Sequence, residues 1–444
     1  MRRALGPLCF LLVLACTREA VAPRNLLLIT LDTLRADHLG AYGYDRPTSP
    51  ELDAFAARST LFTDALCNVP TTLPSHVSFL TGLPPLRHGA RRNGVVPDES
   101  LETLFDLFGK KGVRTAAIVA TGVLGPDFTE VLGPGEVILP PRRKHRYDVP
   151  AERVTDEARR WLDAHDSEPF ALWVHYYDAH EPYDEPRAYR ERFARPYEGA
   201  LPETLDLDTL AAFNDDPDLV LDDADRRHVV DLYDAGVAYL DERLGWLLDD
   251  VEQRGLLDTT AVVVVGDHGQ ALGESDFWGH GLRLLEGVVR IPFLVRLPGQ
   301  HEGRRVDDPV DSLDLLPTVA ELFDLTPTGE LPGRSLVPAL YGRRPETKGV
   351  RMVERRQFEE APDAVAVALY GEGWKLLWDQ DPDGPLVTRF SRDPDAFDVD
   401  RGERPNADQR RLLDEAIRLV RTGASSPDDL DPETRRMLED LGYL

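Results

Sequence analysis

The chain has 444 residues, is 42% hydrophobic and carries a formal net charge of −28. Length and apolar content allow one large domain, or a large one with a smaller companion, around a packed core. The charge argues against nucleic acid or an anionic membrane surface as partner, since both recruit basic residues, but it leaves open a small anionic substrate held through a bound cation.

The N-terminus, MRRALGPLCFLLVLA, joins a short basic start to an apolar run too short to cross a bilayer, and reads as a secretory signal over residues 1–15. Val13-Leu14-Ala15-Cys16 resembles the bacterial lipobox, in which cleavage precedes a cysteine that is then lipidated; an ordinary signal with an incidental cysteine is the alternative. Residues 16–23 read as a linker. The expectation is an exported protein, tethered to the bacterial cell envelope only through a lipid at Cys16. With Cys9 in the signal and Cys16 lipidated, Cys67 is the one cysteine left, so no disulfide framework is expected within a mature chain.

Five apolar runs read as buried strands: Asn25 to Leu31, Arg114 to Ala120, Phe170 to Tyr176, Thr260 to Val265 and Arg290 to Arg296. Helical patterns separate them, starting at Ser49-Pro50 and covering Ser100 to Lys111, Thr155 to Ala164 and Asp223 to Gln253. The alternation predicts an α/β sandwich with a mainly parallel sheet flanked by helices, with functional groups at the carboxyl ends of its strands.

Asp32 stands at such an end, as a metal ligand or as the cap of the next turn. Further on, NVPTTLPSHVSFLTG contains Pro74, which at an N1 position would start a helix running through Phe79. Thr72 would then face free N–H groups and the positive end of the helix dipole, where a tetrahedral anion binds; plain N-capping is the other reading. Asp267 and His268 follow another buried strand, and carboxylate plus imidazole suits Zn²⁺ or Mn²⁺. Beyond a helical segment from Leu313 to Leu325, the chain from about residue 347 reads as a smaller antiparallel sheet, with a helix over Asn406 to Thr422 and an acidic tail. The expected division is a catalytic domain over 24–346 and a small subdomain with a helical tail over 347–444.

These motifs resemble the sulfatase family of the alkaline phosphatase superfamily: LDTLRADHLGAYGY, TLPSHVSFLTG, RHGARRNG, FALWVHYYDAHEPY, VVVVGDHGQALGE, WGHG and VVRIPFLVRLPG occur in order. The resemblance implies an alkaline-phosphatase-like fold and an ester hydrolase acting on a small anionic phosphate or sulfate ester. It places one divalent metal ion on Asp32, Asp267, His268 and Thr72, with Thr72 as nucleophile. His180 and His280 match substrate-contacting positions. His76 replaces the arginine of the family form C-x-P-S-R, either facing the nucleophile or covering the helix, and Arg35 and Asn93 lie where they would orient an anion.

Two departures from the family pattern carry weight. The cysteine that family members oxidise to formylglycine is Thr72 here, and oxidising a secondary alcohol gives a ketone, so the expected route is double displacement through an ester of Thr72. Cys67 lies outside the C-x-P register and reads as a small buried thiol. Where sulfatases usually carry a second Asp after the first, and often an Asn after the later Asp, this chain has Thr33 and His268. That set resembles the phosphotransferring branch and favours Zn²⁺ or Mn²⁺, with Ca²⁺ or Mg²⁺ as alternatives. The other functions open at this point are a true sulfuric ester hydrolase with a Ca²⁺ site, and a phosphoryl-group transferase or inactive binding protein of the envelope.

Overall fold

The computed structural model describes residues 22–142, 148–216, 219–346, 348–356, 365–379, 387–391 and 405–422. The expected signal, Cys16 and the acidic C-terminal stretch lie outside the described residues. All five apolar runs expected as strands enter one eight-stranded sheet. In chain order its members are β1 (Asn25–Leu31), β2 (Thr60–Phe62), β3 (Arg114–Ile118), β4 (Val137–Ile138), β5 (Phe170–Tyr176), β6 (Thr260–Gly266), β7 (Phe293–Arg296) and β8 (Arg304–Val306). Their spatial order is β8-β2-β7-β6-β1-β5-β3-β4. Only β7 runs against its neighbours, so the sheet is mixed but mostly parallel.

The register of the central strands positions the site. Leu31 lies opposite both Tyr176 and Gly266, so β1, β5 and β6 finish level and release Asp32, Tyr177 and Asp267 side by side. Side chains alternate faces along each strand. Leu27, Ile29, Leu31, Val174 and Val264 pack beneath the long helix Asp223–Gln253, whose first turn is capped by the Asp222 carboxylate. Leu28, Trp173, Val263 and Val265 face the opposite way and pack with Leu73, Val77 and Phe79 of the helix Thr72–Thr81. Thr30, Asp32, His175 and Asp267 share that second parity, so the alternation brings them to the helix that carries Thr72.

Several element boundaries differ from expectation, among them the start of the helix expected from Ser100, which begins at Leu104. The strand expected from Arg290 begins at Phe293, because Glu286–Val289 forms a helical turn and Pro292 has no N–H for the ladder. The helix expected from Thr155 starts four residues earlier, at Ala151, directly after Pro150. The helix of Thr72 begins at Thr72 itself and continues to Thr81, with Pro74 inside the first turn rather than at its start.

The smaller sheet is antiparallel and sequential: β9 (Arg351–Arg356), β10 (Val365–Gly371), β11 (Trp374–Asp379) and β12 (Val387–Ser391). Helix Ala407–Thr422 covers one face through Leu413, Ala416 and Val420 against Val367, Leu369 and Leu376. The other face, with Val353, Ala366 and Ala368, merges into the core beside the Thr72 helix. Asn68 ties the two parts together, since its backbone carbonyl accepts from the Glu354 N–H at 2.9 Å and its side-chain amide donates to the Met352 carbonyl at 3.2 Å.

Candidate active site

Asp32 and Asp267 are fully buried at adjacent strand ends. Asp267 Oδ1 accepts the backbone N–H of His268 at 2.7 Å and of Thr33 at 3.2 Å, which fixes the carboxylate and turns Oδ2 inward. Among the described residues, Asp267 Oδ2 and both Asp32 oxygens have no hydrogen-bond partner. Unpartnered buried carboxylate oxygens are costly unless a cation takes them. Burial, and then the Asp32 charge, pushes the Asp267 carboxyl well above its ordinary range. Burial works the same way on Asp32, but His175, His180 and His268 hold it below the usual carboxylate range. Two close carboxyls so split favour sharing one proton, a proton that a divalent ion would displace.

His268 completes this set. Its Nδ1–H donates to the Gly269 carbonyl at 3.0 Å, leaving the Nε2 lone pair to point inward, 3.5 Å from Asp267 Oδ2 and 3.9 Å from Asp32 Oδ1. Burial pushes the ring's pKa down to about 3, so it is neutral and able to ligate. The loop that carries it is held tightly: Gly269 donates to the Val288 carbonyl at 2.7 Å, and a Cβ on Gly269 would stand 2.0 Å from the Gly287 oxygen. Only glycine permits this approach.

Thr72 Oγ1 lies 3.5 Å from His268 Nε2. No side chain caps the start of its helix, so the N-capping alternative for Thr72 finds no support in the geometry. The helix is instead pinned to the loop and the sheet. Ser75 Oγ donates to the Asp267 carbonyl at 2.8 Å, and His76 Nδ1–H donates to the Thr72 carbonyl at 2.7 Å while its Nε2 meets the Thr30 hydroxyl at 3.0 Å. His76 is thus a clamp between helix and β1. Burial lowers its pKa to about 3, so it does not replace the positive charge of the family arginine, and of the two expected roles its contacts match the one of covering the helix.

His180 and His280 sit over the same pocket, their rings 4.9 Å apart, and His280 stacks on His268 at 4.6 Å. His180 Nδ1 bonds the Glu181 carbonyl at 2.6 Å, and His280 Nδ1 bonds Gln270 Oε1 at 2.8 Å. The Gln270 amide orientation is set by Glu181, whose Oε2 accepts from Gln270 Nε2 at 2.7 Å. Both histidines therefore keep Nε2 for a ligand. Asn93 is close to the nucleophile but serves the backbone, its Oδ1 accepting the Leu73 N–H at 2.9 Å. Arg35 is drawn elsewhere: its guanidinium donates to Asp37 at 2.7 and 2.9 Å, to Glu274 at 2.6 Å and to the Gln270 carbonyl at 3.0 Å. Arg35, expected to orient an anion, has its guanidinium engaged by these groups, which braces the Gln270 loop.

Sequence reasoning missed three participants, namely His175, Glu181 and Gln270. His175 lies inside β5 with its Nε2 3.4 Å from Asp32 Oδ2. A signal for it existed, since an ionisable residue within a fully apolar strand needs a partner. Asp32, Asp267 and His268 converge as a group able to hold a metal ion, and so do His180, Glu181 and His280, and His76, His175 and Asp267.

Comparison with known proteins accords with this geometry. The family model Sulfatase matches residues 24–325. The chain is 27% identical over 392 residues to an uncharacterized sulfatase of Escherichia coli K12, covering 77% of this chain and 74% of that protein. It is 28% identical over 370 residues to the human N-sulphoglucosamine sulphohydrolase, covering 75% and 69% of the two chains. The crystal structure of the phosphonate monoester hydrolase of Agrobacterium radiobacter superposes with a TM-score of 0.69 at 20% identity, over 90% of this chain and 96% of that one, a likeness of fold.

Proposed function

The chain belongs to the sulfatase family of ester-hydrolysing enzymes, and from that premise we propose that it hydrolyses small anionic esters by double displacement on Thr72, with phosphorus esters as the preferred class. The observation that carries this reading is the Thr72 hydroxyl, 3.5 Å from His268 Nε2 and beside buried carboxylate oxygens without a hydrogen bond of ordinary length among the described residues. Asp32, Asp267, His268 and Thr72 would hold one divalent ion, and the imidazole favours Zn²⁺ or Mn²⁺. When bound, that ion supplies Lewis acidity, lowering the pKa of the Thr72 hydroxyl and offsetting charge on the ester oxygens.

The chain's own groups account for the rest. Thr72, its hydroxyl proton already lost to solvent, attacks the phosphorus through Oγ as the alkoxide to which the second step returns it, the P–O bond to the alcohol breaks, and the alcohol leaves with a proton given by a histidine Nε2. A water then attacks the phosphothreonine, loses its proton to the same nitrogen, and releases Thr72 and the acid. His180 and His280 suit that exchange because their Nδ1 atoms are already engaged. Elimination from a formylglycine diol has no counterpart at a threonine, which is why phosphorus is favoured over sulfur. Charge narrows the class in another way: His76 and His268 are held neutral and Arg35 is paired with carboxylates, a setting better matched to a monoanionic ester, whether diester, phosphonate monoester or sulfate ester, than to a phosphate monoester dianion. Sulfate-ester hydrolysis is the second reading, favoured by the sulfatase relatives.

The test is a panel of aryl phosphate, phosphodiester, phosphonate and sulfate esters against metal-reconstituted protein. Faster turnover of the phosphorus esters, with a phosphorylated Thr72 peptide trapped by acid quench, is the expected result. Turnover confined to the sulfate ester would overturn it.

A further inference from the structure

The buried strand FALWVHY carries one imidazole, that of His175, which the proposed reaction does not use. The residue is fully buried and lies opposite Thr30 in the register with β1, two positions before Asp32. The His76 ring closes over it with centroids 5.1 Å apart. A buried imidazole must place one proton, and its neighbours decide where. The Ala120 backbone N–H, a donor only, points at Nδ1 from 3.4 Å. Nδ1 is therefore the lone-pair nitrogen and the proton sits on Nε2. That nitrogen has no hydrogen bond of ordinary length, and it stands 3.4 Å from Asp32 Oδ2, at the outer edge of hydrogen-bond range.

We propose that His175 is a positioning residue for the metal centre: its Nε2–H holds Asp32 Oδ2 from behind, leaving Oδ1 turned toward His268 and the cation. Two observations separate this from direct ligation. A protonated nitrogen cannot ligate, and the nitrogen that lacks a proton is directed at Ala120. Oδ1, by contrast, is the Asp32 oxygen 3.9 Å from His268 Nε2. Carboxylates that ligate metals are commonly oriented by a second donor, and losing that donor typically weakens metal binding about 10- to 100-fold. The inference rests on Asp32 being a ligand, as in the proposed function, and is independent of whether the substrate is a phosphate or a sulfate.

The measurement is calorimetric titration of the chelator-stripped full chain with Mn²⁺, comparing His175→Met with His175→Gln. The two replacements are close in size, but only glutamine retains an N–H. We expect His175→Met to weaken Mn²⁺ binding roughly 10- to 100-fold and His175→Gln to recover a clear part of that loss. Cooperative urea unfolding of each metal-free variant establishes that the fold is kept, and His175→Phe stands in as the donor-free variant should methionine not fold. Donor-free protein that binds Mn²⁺ as tightly as the parent overturns the proposal, and so does equal weakening in the donor-free and glutamine variants. Failure of the parent to bind Mn²⁺ would remove the ligand reading itself, and this inference with it, whichever ester is cleaved.

Discussion

At the scale of single residues, Thr72 and Thr33 bear most directly on the proposed chemistry and metal preference. In the proposed reaction Thr72 would supply one oxygen among four ligating groups but be the sole nucleophile, so Thr72→Ala is expected to lower kcat by roughly 10⁴-fold or more while metal remains bound by the other three. Elemental analysis of the variant alongside its kinetics checks both halves, and retained turnover would sink the covalent route. Thr33 is fully buried with φ of 53° and a hydroxyl that finds no partner among the described residues. A β-branched residue in the left-handed region costs on the order of 1–3 kcal/mol, whereas Asp adopts that conformation more readily. Thr33→Asp should therefore be tolerated by the backbone, and it adds a hard oxygen next to Asp32. The expected outcome is a shift of metal preference from Zn²⁺ or Mn²⁺ toward Ca²⁺ in reactivation of the chelated enzyme. A parent enzyme that responds best to Ca²⁺ would contradict the ligand argument. That Asp32, Asp267 and His268 would converge was legible because each follows a buried apolar strand, and Thr72 stood out at a helix start, but the surroundings of His76, Arg35 and Asn93 were not legible. Their partners are the Thr30 hydroxyl, the Glu274 carboxylate and the Leu73 amide, groups remote in sequence or on the backbone.

At the scale of elements, the apolar runs were legible because both faces of the sheet are covered, so each central strand is continuously hydrophobic. The strands Thr60–Phe62, Val137–Ile138 and Arg304–Val306 were not, since two or three residues carry no periodicity. Nor could periodicity reveal that the small sheet supports the metal loop. The turn Glu286–Val289 receives N–H donors from Gly269 and Gln270 through the Val288 and Gly287 carbonyls. Glu286, nearly fully buried, accepts from Arg290 at 2.6 Å, from Tyr370 at 2.8 Å and from Lys375. Tyr370 and Lys375 belong to the small sheet. Removing one partner of a buried ion pair typically costs about 3–5 kcal/mol, and Arg290 would still screen Glu286 here. Lys375→Met is accordingly expected to lose about 2 kcal/mol of stability, read from the urea midpoint, together with weaker metal binding as the loop loosens. Stability and metal affinity equal to the parent's would mean that the two sheets are merely adjacent.

At the scale of the whole molecule, charge and anchoring have to be considered together. A body of net charge −28 is repelled by an anionic bilayer, so on the expectation of export a lipid on Cys16 would be the tether, and Cys16→Ser should then move the protein from the membrane to the soluble fraction. Unchanged fractionation would refute the anchor. The same charge opposes the arrival of an anionic ester. Any attraction from the metal centre acts at contact, where two carboxylates offset the ion, whereas the repulsion comes from the whole surface and acts at long range. The Debye length falls from about 30 Å at 0.01 M salt to about 8 Å at 0.15 M, a change that removes long-range repulsion and barely alters contacts inside a buried site. The prediction is that kcat/KM for an anionic ester rises severalfold over that salt range while kcat stays flat, the reverse of an enzyme that steers its substrate electrostatically. A fall in kcat/KM with salt would instead reveal a local positive funnel strong enough to outweigh the net charge.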